Sequence, residues 1–261
     1  MLGAIIGDVV GSRFEFSGKK NKNFELFSEY SFFTDDTVMT CAVAKALLDS
    51  KGDYEELSER AVRCMQTLGR KYEGRGYGGM FLNWLYADIP SPYRSYGNGS
   101  AMRVSPVAYA ARSLDEVKLL SRKVTEISHN HPEGIKGAEA VAVATYLALN
   151  GKTKDEIREV IVRDYYTIKD DYDALPFDFL VDATCQGTIP PSLYAFFESD
   201  SFEDAIRTAV AFGGDADTMA AITGSVAGAY YGIPADLAKR TEAYLDAYLL
   251  GIMNDFEKKF M

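Results

Sequence analysis

Histidine is nearly absent from this 261-residue chain, which has only His129 and His131. There are three cysteines, Cys41, Cys64 and Cys185, widely spaced among apolar residues. An odd count at such spacing is no disulfide framework, and so few soft donors argue against a tetrahedral zinc site. All three thiols are expected to be buried and free. Any metal must therefore be held mostly by oxygen, which points to Mg²⁺ or Mn²⁺. Basic residues are also short, 28 Lys and Arg against 38 Asp and Glu, for a net charge of -10. That sign repels phosphate backbones and speaks against general nucleic-acid binding, while a local pocket can still accept a small anion. No apolar run approaches the ~20 residues that cross a bilayer. The opening Met1-Leu2-Gly3-Ala4-Ile5-Ile6-Gly7-Asp8 has no basic segment or cleavage pattern of an export signal. The expected location is cytoplasmic, with no membrane partner. Nor does any β-branched run alternate convincingly, so little or no sheet is expected.

What remains is an ordinary globular composition, 47% hydrophobic and 25% charged. Residues 1–261 are read as one domain, enough chain to bury roughly three quarters of its unfolded surface. The pattern is helical almost throughout. Leu57, Ala61, Met65 and Leu68 make a stripe at helical spacing within 53–69. Ser113 with Glu116, and Thr153 with Glu156, carry the capping-box signature, and Ser201 with Asp204 a weaker form. Pro190-Pro191 suits a first helical turn. Segments 135–149 and 235–252 are apolar enough for helices, whereas 89–106 and the aspartate-rich 168–182 read as long loops.

Small residues recur at four-residue spacing in two places. Gly3, Gly7 and Gly11 do so near the N-terminus, and Ala216, Ala220, Gly224, Gly228 and Gly232 near the C-terminus. Glycine costs a helix about 1 kcal/mol against alanine, so its repeated use on one face implies close approach of another backbone. Tight packing in a crowded core accounts for either stripe alone. If the two helices meet, they also bring distant acidic motifs together.

Those motifs share a grammar. Thr34-Asp35-Asp36-Thr37 opens an apolar run from Val38 to Leu48, and Gly213-Gly214-Asp215-Ala216-Asp217-Thr218 opens another. Either alone is a capping signal. Two together, each at the head of an apolar helix with no cation beside it, are better explained by a shared metal site, because unpaired buried carboxylates are expensive. Glu15, between Gly11 and Gly18, is either a loop carboxylate paired with Arg13 or an acid or base on a mobile segment. Tyr96-Gly97-Asn98-Gly99-Ser100-Ala101-Met102-Arg103 is a plain turn or, through free N–H groups and Arg103, a phosphate cradle. Ser128-His129-Asn130-His131-Pro132 precedes a helix, and a histidine there is a capping residue or a flat ring for a base.

Taken together, Gly3–Asp8 with Gly11-Ser12 and Glu15, Phe33–Thr37, Gly97–Arg103, Ser128-His129 and Gly213–Thr218 resemble the ADP-ribosylglycohydrolase family, of the dinitrogenase-reductase-activating type. They stand in the family's order and span most of the chain. The resemblance implies a compact all-α orthogonal bundle whose central cleft holds two Mg²⁺ or Mn²⁺ ions. It matches Thr34, Asp35, Asp36, Asp215, Asp217 and Thr218 to metal ligands and Glu15 to a glutamate on a flap beside them. It matches Asn98, Gly99, Ser100 and Met102 to the loop around the diphosphate and distal ribose, and His129 to the adenosine end. The implied reaction is hydrolysis of the glycosidic bond at the distal ribose of an ADP-ribosyl group, with Asp36 or Glu15 as base. The implied partner is an ADP-ribosylated substrate or ADP-ribose derivative. Some arginine-specific relatives carry an acid near the segment matching Gly76–Met80. This chain has none there, which speaks against an arginine acceptor. A catalytically silent, crystallin-like binder and a di-metal phosphoester hydrolase are the competing readings, and the intact acidic set argues against the first.

Overall fold

The computed structural model describes residues 1–18, 21–170, 172 and 182–261. Asp171, Asp173 and Asp178 of the acidic loop lie outside the described residues. The described residues form an all-α bundle, with two isolated bridges, Ser17 to Gly214 and Gly97 to Thr184, and no strand.

The chain begins with α1 (Leu2–Gly11), buried along its whole length. Next come α2 (Asp35–Ser50), α3 (Leu57–Lys71), α4 (Gly79–Tyr86), the single turn α5 (Gly99–Met102) and α6 (Pro106–Ala110). Then follow α7 (Leu114–Thr125), α8 (Pro132–Leu149), α9 (Lys154–Asp164), α10 (Cys185–Phe197), α11 (Phe202–Phe212) and α12 (Ala216–Tyr231). Finally come α13 (Ala235–Glu242) and α14 (Ala247–Phe260). The buried α12 is the hub, packed on by α1, α8, α10 and α11, while α2 rests on α1, α3 and α14.

The glycine stripes explain the central contact. A Cβ at Gly3 would stand 2.1 Å from the Gly224 carbonyl oxygen, one at Gly7 2.0 Å from that of Ala220, and one at Gly11 2.5 Å from the Asp217 Cα. The partner number falls as the glycine number rises, so α1 and α12 run antiparallel, main chain against main chain. Their contact sets the end of α1 beside the start of α12. Gly213 (φ 77°) and Gly214 (φ 67°) adopt left-handed backbone between α11 and α12, a sharp turn that side chains resist.

The capping signals hold with one variation. Thr153 and Glu156 close a full box, and the Ser201 and Ser113 hydroxyls accept the expected amides. Glu116, however, turns its carboxylate to the Arg112 amide and guanidinium. Four expectations need correction. Pro190-Pro191 lie inside α10, because Thr184 caps that helix earlier, accepting from the Gly187 amide. Segment 235–252 is two helices, because Asp246 accepts the Tyr248 and Leu249 amides and starts a new one. The 89–106 loop contains α5 and the start of α6. Cys64 is only partly buried, unlike Cys41 and Cys185.

Candidate active site

Both acidic motifs open helices that end in one cleft. Thr34 caps α2 by accepting the Asp36 amide, and Asp215 stands at the cap position of α12. The Thr218 hydroxyl donates to Asp36 Oδ2 at 3.1 Å, joining the two segments directly. Glu15 follows the short turn after α1 and is held there by the Phe16 amide donating to the Gly214 carbonyl at 2.6 Å. Carboxylate oxygens of Glu15, Asp215 and Asp217 come within 4.8 Å of one another. Arg13 bonds instead to the Ser28 hydroxyl and the Glu25 carbonyl, so the loop pairing with Glu15 is not made.

Asp8, to which the sequence alone assigns no role, completes the cluster. It is the one charged residue in α1 and is fully buried. Its carboxylate accepts from the amides and hydroxyls of both Thr34 and Thr37, tying α1 to the head of α2. A lone acid in an otherwise apolar glycine helix was the signal available.

The electrostatics are lopsided. Among the described residues none of Asp8, Glu15, Asp35, Asp36, Asp215 and Asp217 makes a salt bridge. Burial, then the neighbouring carboxylates, pushes Asp35, Asp36 and Asp217 well above the usual carboxylate range. Glu15 is raised by burial and by Asp215 and Asp8. Asp8 is raised by burial despite its hydrogen bonds. Asp36 Oδ1 is buried with no hydrogen-bond partner. An orphaned carboxylate oxygen among uncompensated acids suits hard divalent cations: the donors are all oxygen, and a 2+ charge would offset the cost of burying them.

The cleft has a volume of about 330 Å³, and its lining includes Glu15, Asp35, Asp36, Asp215, Asp217 and Thr218. Asn98, Gly99, Met102 and His129 line it too, as does a wall of Gly76, Gly78, Gly79 and Met80. Two residues named from the sequence do not line it. The Thr34 hydroxyl donates to Asp8 at 2.7 Å, and the Ser100 hydroxyl donates to the Gly134 carbonyl at 2.9 Å. Asn98 does line the cleft, but its amide donates to Asp215 Oδ2 at 2.6 Å and to the Thr188 hydroxyl at 2.9 Å. Its side chain thus orients an acidic residue.

His129 lies between Phe81 and Tyr93, buried and held well below the ordinary histidine pKa by burial and by the Arg103 charge. Arg103 is fully buried, lies over the Phe81 ring and is lowered by burial to about 10.

Comparison with known proteins gives the family and the fold. A family model described as ADP-ribosylglycohydrolase matches residues 1–260. The ADP-ribosylhydrolase ARH3 of Homo sapiens is 27% identical, over 96% of this chain and 90% of its own. The ADP-ribosylarginine hydrolase Tri1 of Pseudomonas putida is 29% identical, over 89% and 70% respectively. The ADP-ribosyl-[dinitrogen reductase] glycohydrolase of Rhodospirillum rubrum is 27% identical, over 89% and 84%. A solved structure titled ADP-ribosylglycohydrolase-related protein complex shares the fold, with a TM-score of 0.72 at 24% identity over 100% of this chain and 97% of that one. A match across all but the last residue, on a chain whose acids meet in one cleft, makes this protein a member of the ADP-ribosylglycohydrolase family of hydrolases.

Proposed function

We propose that this enzyme hydrolyses the glycosidic bond at the distal ribose of an ADP-ribosyl group, with two Mg²⁺ or Mn²⁺ ions as cofactors. The observation that carries the reading is the uncompensated acidic cluster, with Asp36 Oδ1 left without a partner. Asp35, Asp36, Asp215, Asp217 and Thr218, which line the cleft, would hold the ions; Thr34, the sixth residue matched from the sequence, is turned to Asp8 and would have to reach them from behind that lining. Bound there, they would supply Lewis acidity and lower the pKa of a nearby water.

The remaining chemistry belongs to the chain. Asn98 fixes the orientation of Asp215, and Asp8 fixes Thr34 at the head of α2. Glu15, half-buried at the mouth with a raised pKa, is suited to take a proton from attacking water and pass it to the leaving group. Asp36 is the alternative base. Attack at the anomeric carbon forms the new C–O bond as the bond to the acceptor breaks, and the carboxylates stabilise the oxocarbenium character that develops. Asn98, Gly99, Met102 and His129 border the space for the rest of the ADP-ribosyl group. The Gly76–Met80 segment carries no acid of its own, which speaks against an arginine acceptor, although Asp35 Oδ1 stands beside Gly76.

The test is incubation with Mg²⁺ and ADP-ribose linked to arginine, serine or DNA, with free ADP-ribose detected by mass. Release lost with EDTA and with Asp215→Ala supports the proposal. Release of phosphate in place of ADP-ribose overturns it, as does ADP-ribose binding without turnover of any substrate.

A further inference from the structure

Three buried polar groups form a chain that ends at the cleft. Arg103 Nη2 lies 2.8 Å from Ser128 Oγ, and Ser128 Oγ lies 2.9 Å from His129 Nδ1. His129 then faces the cleft, where its Nε2 would stand 3.4 Å from a Cβ at Gly99 and 3.8 Å from one at Gly97. No hydrogen bond to Nε2 is made among the described residues.

Proton counting decides the direction of the chain. A guanidinium only donates, so Ser128 Oγ must accept from Arg103. The serine hydroxyl carries one proton, and its other neighbour is His129 Nδ1. If Nδ1 bore the ring proton, Ser128 would accept twice and its own buried proton would have no acceptor, which a buried site penalises. If Ser128 donates to Nδ1, both contacts of the serine hydroxyl are satisfied, while Arg103 Nε and the cleft-facing His129 Nε2 are left without a partner among the described residues. The imidazole proton is then on Nε2. A doubly protonated ring is disfavoured by burial and by the adjacent Arg103 charge.

We propose that Arg103 and Ser128 are positioning residues that hold His129 as the neutral Nε2–H tautomer, so that its ring offers one fixed hydrogen-bond donor to the cleft. The ligand atom it meets is an acceptor, such as an oxygen or unprotonated ring nitrogen, of the molecule bound beside the Gly97–Gly99 turn. That this molecule is ADP-ribose rests on the function proposed above. The tautomer does not.

The experiment uses the full chain labelled with ¹⁵N. His131→Asn leaves His129 as the one histidine, and asparagine can still cap α8 as His131 does. Long-range proton–nitrogen spectra should show a protonated Nε2 and a bare Nδ1. Ser128→Ala in this background should release the ring to a mixture of tautomers, and Ser128→Thr should restore the single form. ADP-ribose affinity, measured by calorimetry, should fall on the order of tenfold with Ser128→Ala and recover with Ser128→Thr. A protonated Nδ1 in the parent, or an unchanged tautomer in Ser128→Ala, overturns the proposal. If the tautomer behaves as expected while no variant binds ADP-ribose, the positioning stands and the ligand reading falls.

Discussion

The Thr218 hydroxyl and Asp36 Oδ2, 182 positions apart in the chain, are in direct hydrogen bond at 3.1 Å. The two acidic segments therefore form a single group of donors, and changing one should be felt at the other. Thr218→Val removes the oxygen and keeps the shape. Divalent-ion affinity, measured by titration calorimetry with Mn²⁺, is expected to fall at least roughly 10–100-fold, since the change removes a proposed ligand oxygen together with the partner that orients Asp36. An unchanged affinity would place the ions elsewhere.

The uncompensated acids also set a pH dependence for the metal-free protein. Asp8, Glu15, Asp35, Asp36 and Asp217 all have raised folded-state pKa values. A carboxyl whose folded pKa lies above its unfolded value favours folding while protonated, and that contribution is lost as pH rises through the folded pKa. In EDTA, Tm should fall as pH climbs from the ordinary carboxylate range towards neutral and above. Saturating Mg²⁺ or Mn²⁺ should restore it, by about 2.7 kcal/mol at a hundredfold excess over Kd. A metal-free Tm that rises across this window contradicts the prediction.

Glu15 separates chemistry from binding. Glu15→Gln preserves the shape of the segment that Ser17 and Phe16 tie to Gly214. Turnover should drop about 10²–10⁴-fold, the range expected for a lost general base or acid. ADP-ribose affinity should change little. Equal losses in both would assign Glu15 to substrate binding instead.

Asp8 carries the opposite expectation. It lies behind the cleft, with four donors from Thr34 and Thr37 on its carboxylate. Asp8→Asn turns an amide N–H₂ towards those donors and should cost about 2–4 kcal/mol in urea unfolding, since unsatisfied buried groups accumulate. A change within experimental error would mean that the α1–α2 junction is held by other contacts.

The glycine contact can be tested with its own control. Gly7→Ala places a methyl 2.0 Å from a backbone carbonyl and should destabilise by at least about 1–3 kcal/mol. Gly251→Ala, in exposed helix with open space around it, should stabilise by up to about 1 kcal/mol. Similar effects at the two positions would refute main-chain packing as the reason for the stripe.

Much of this architecture was legible because its signals are local. The stripe Leu57, Ala61, Met65 and Leu68 is buried on α3 as its spacing implied. The Thr153–Glu156 box needs only three residues to recognise. The paired acidic motifs were legible as a pair, and the glycine stripes hinted at what joins them. What stayed hidden depends on partners far along the chain. Nothing near Asn98 announces that its amide will face Asp215, or that Ser100 will turn to Gly134. Pro190 and Pro191 misled because a cap at Thr184 outweighed their preference for a first turn. The loop that holds Arg103 is equally a plain turn or a phosphate cradle by sequence, and nothing there announces that the guanidinium will be buried against Ser128 and Phe81.

The meeting of Gly3 with Gly224 and Gly7 with Ala220 has a consequence for how such a protein can vary. Where side chains interlock, a substitution can be absorbed by a new rotamer next door. Where main chain rests on main chain there is no rotamer to adjust, and the spacing is fixed by the width of two bare helices. The ends of α1 and α12, which carry Glu15 and Asp215, inherit that fixed spacing. The outer helices can then exchange residues freely, and new substrate walls can be tried around the cleft, without altering the distance between the groups that do the chemistry.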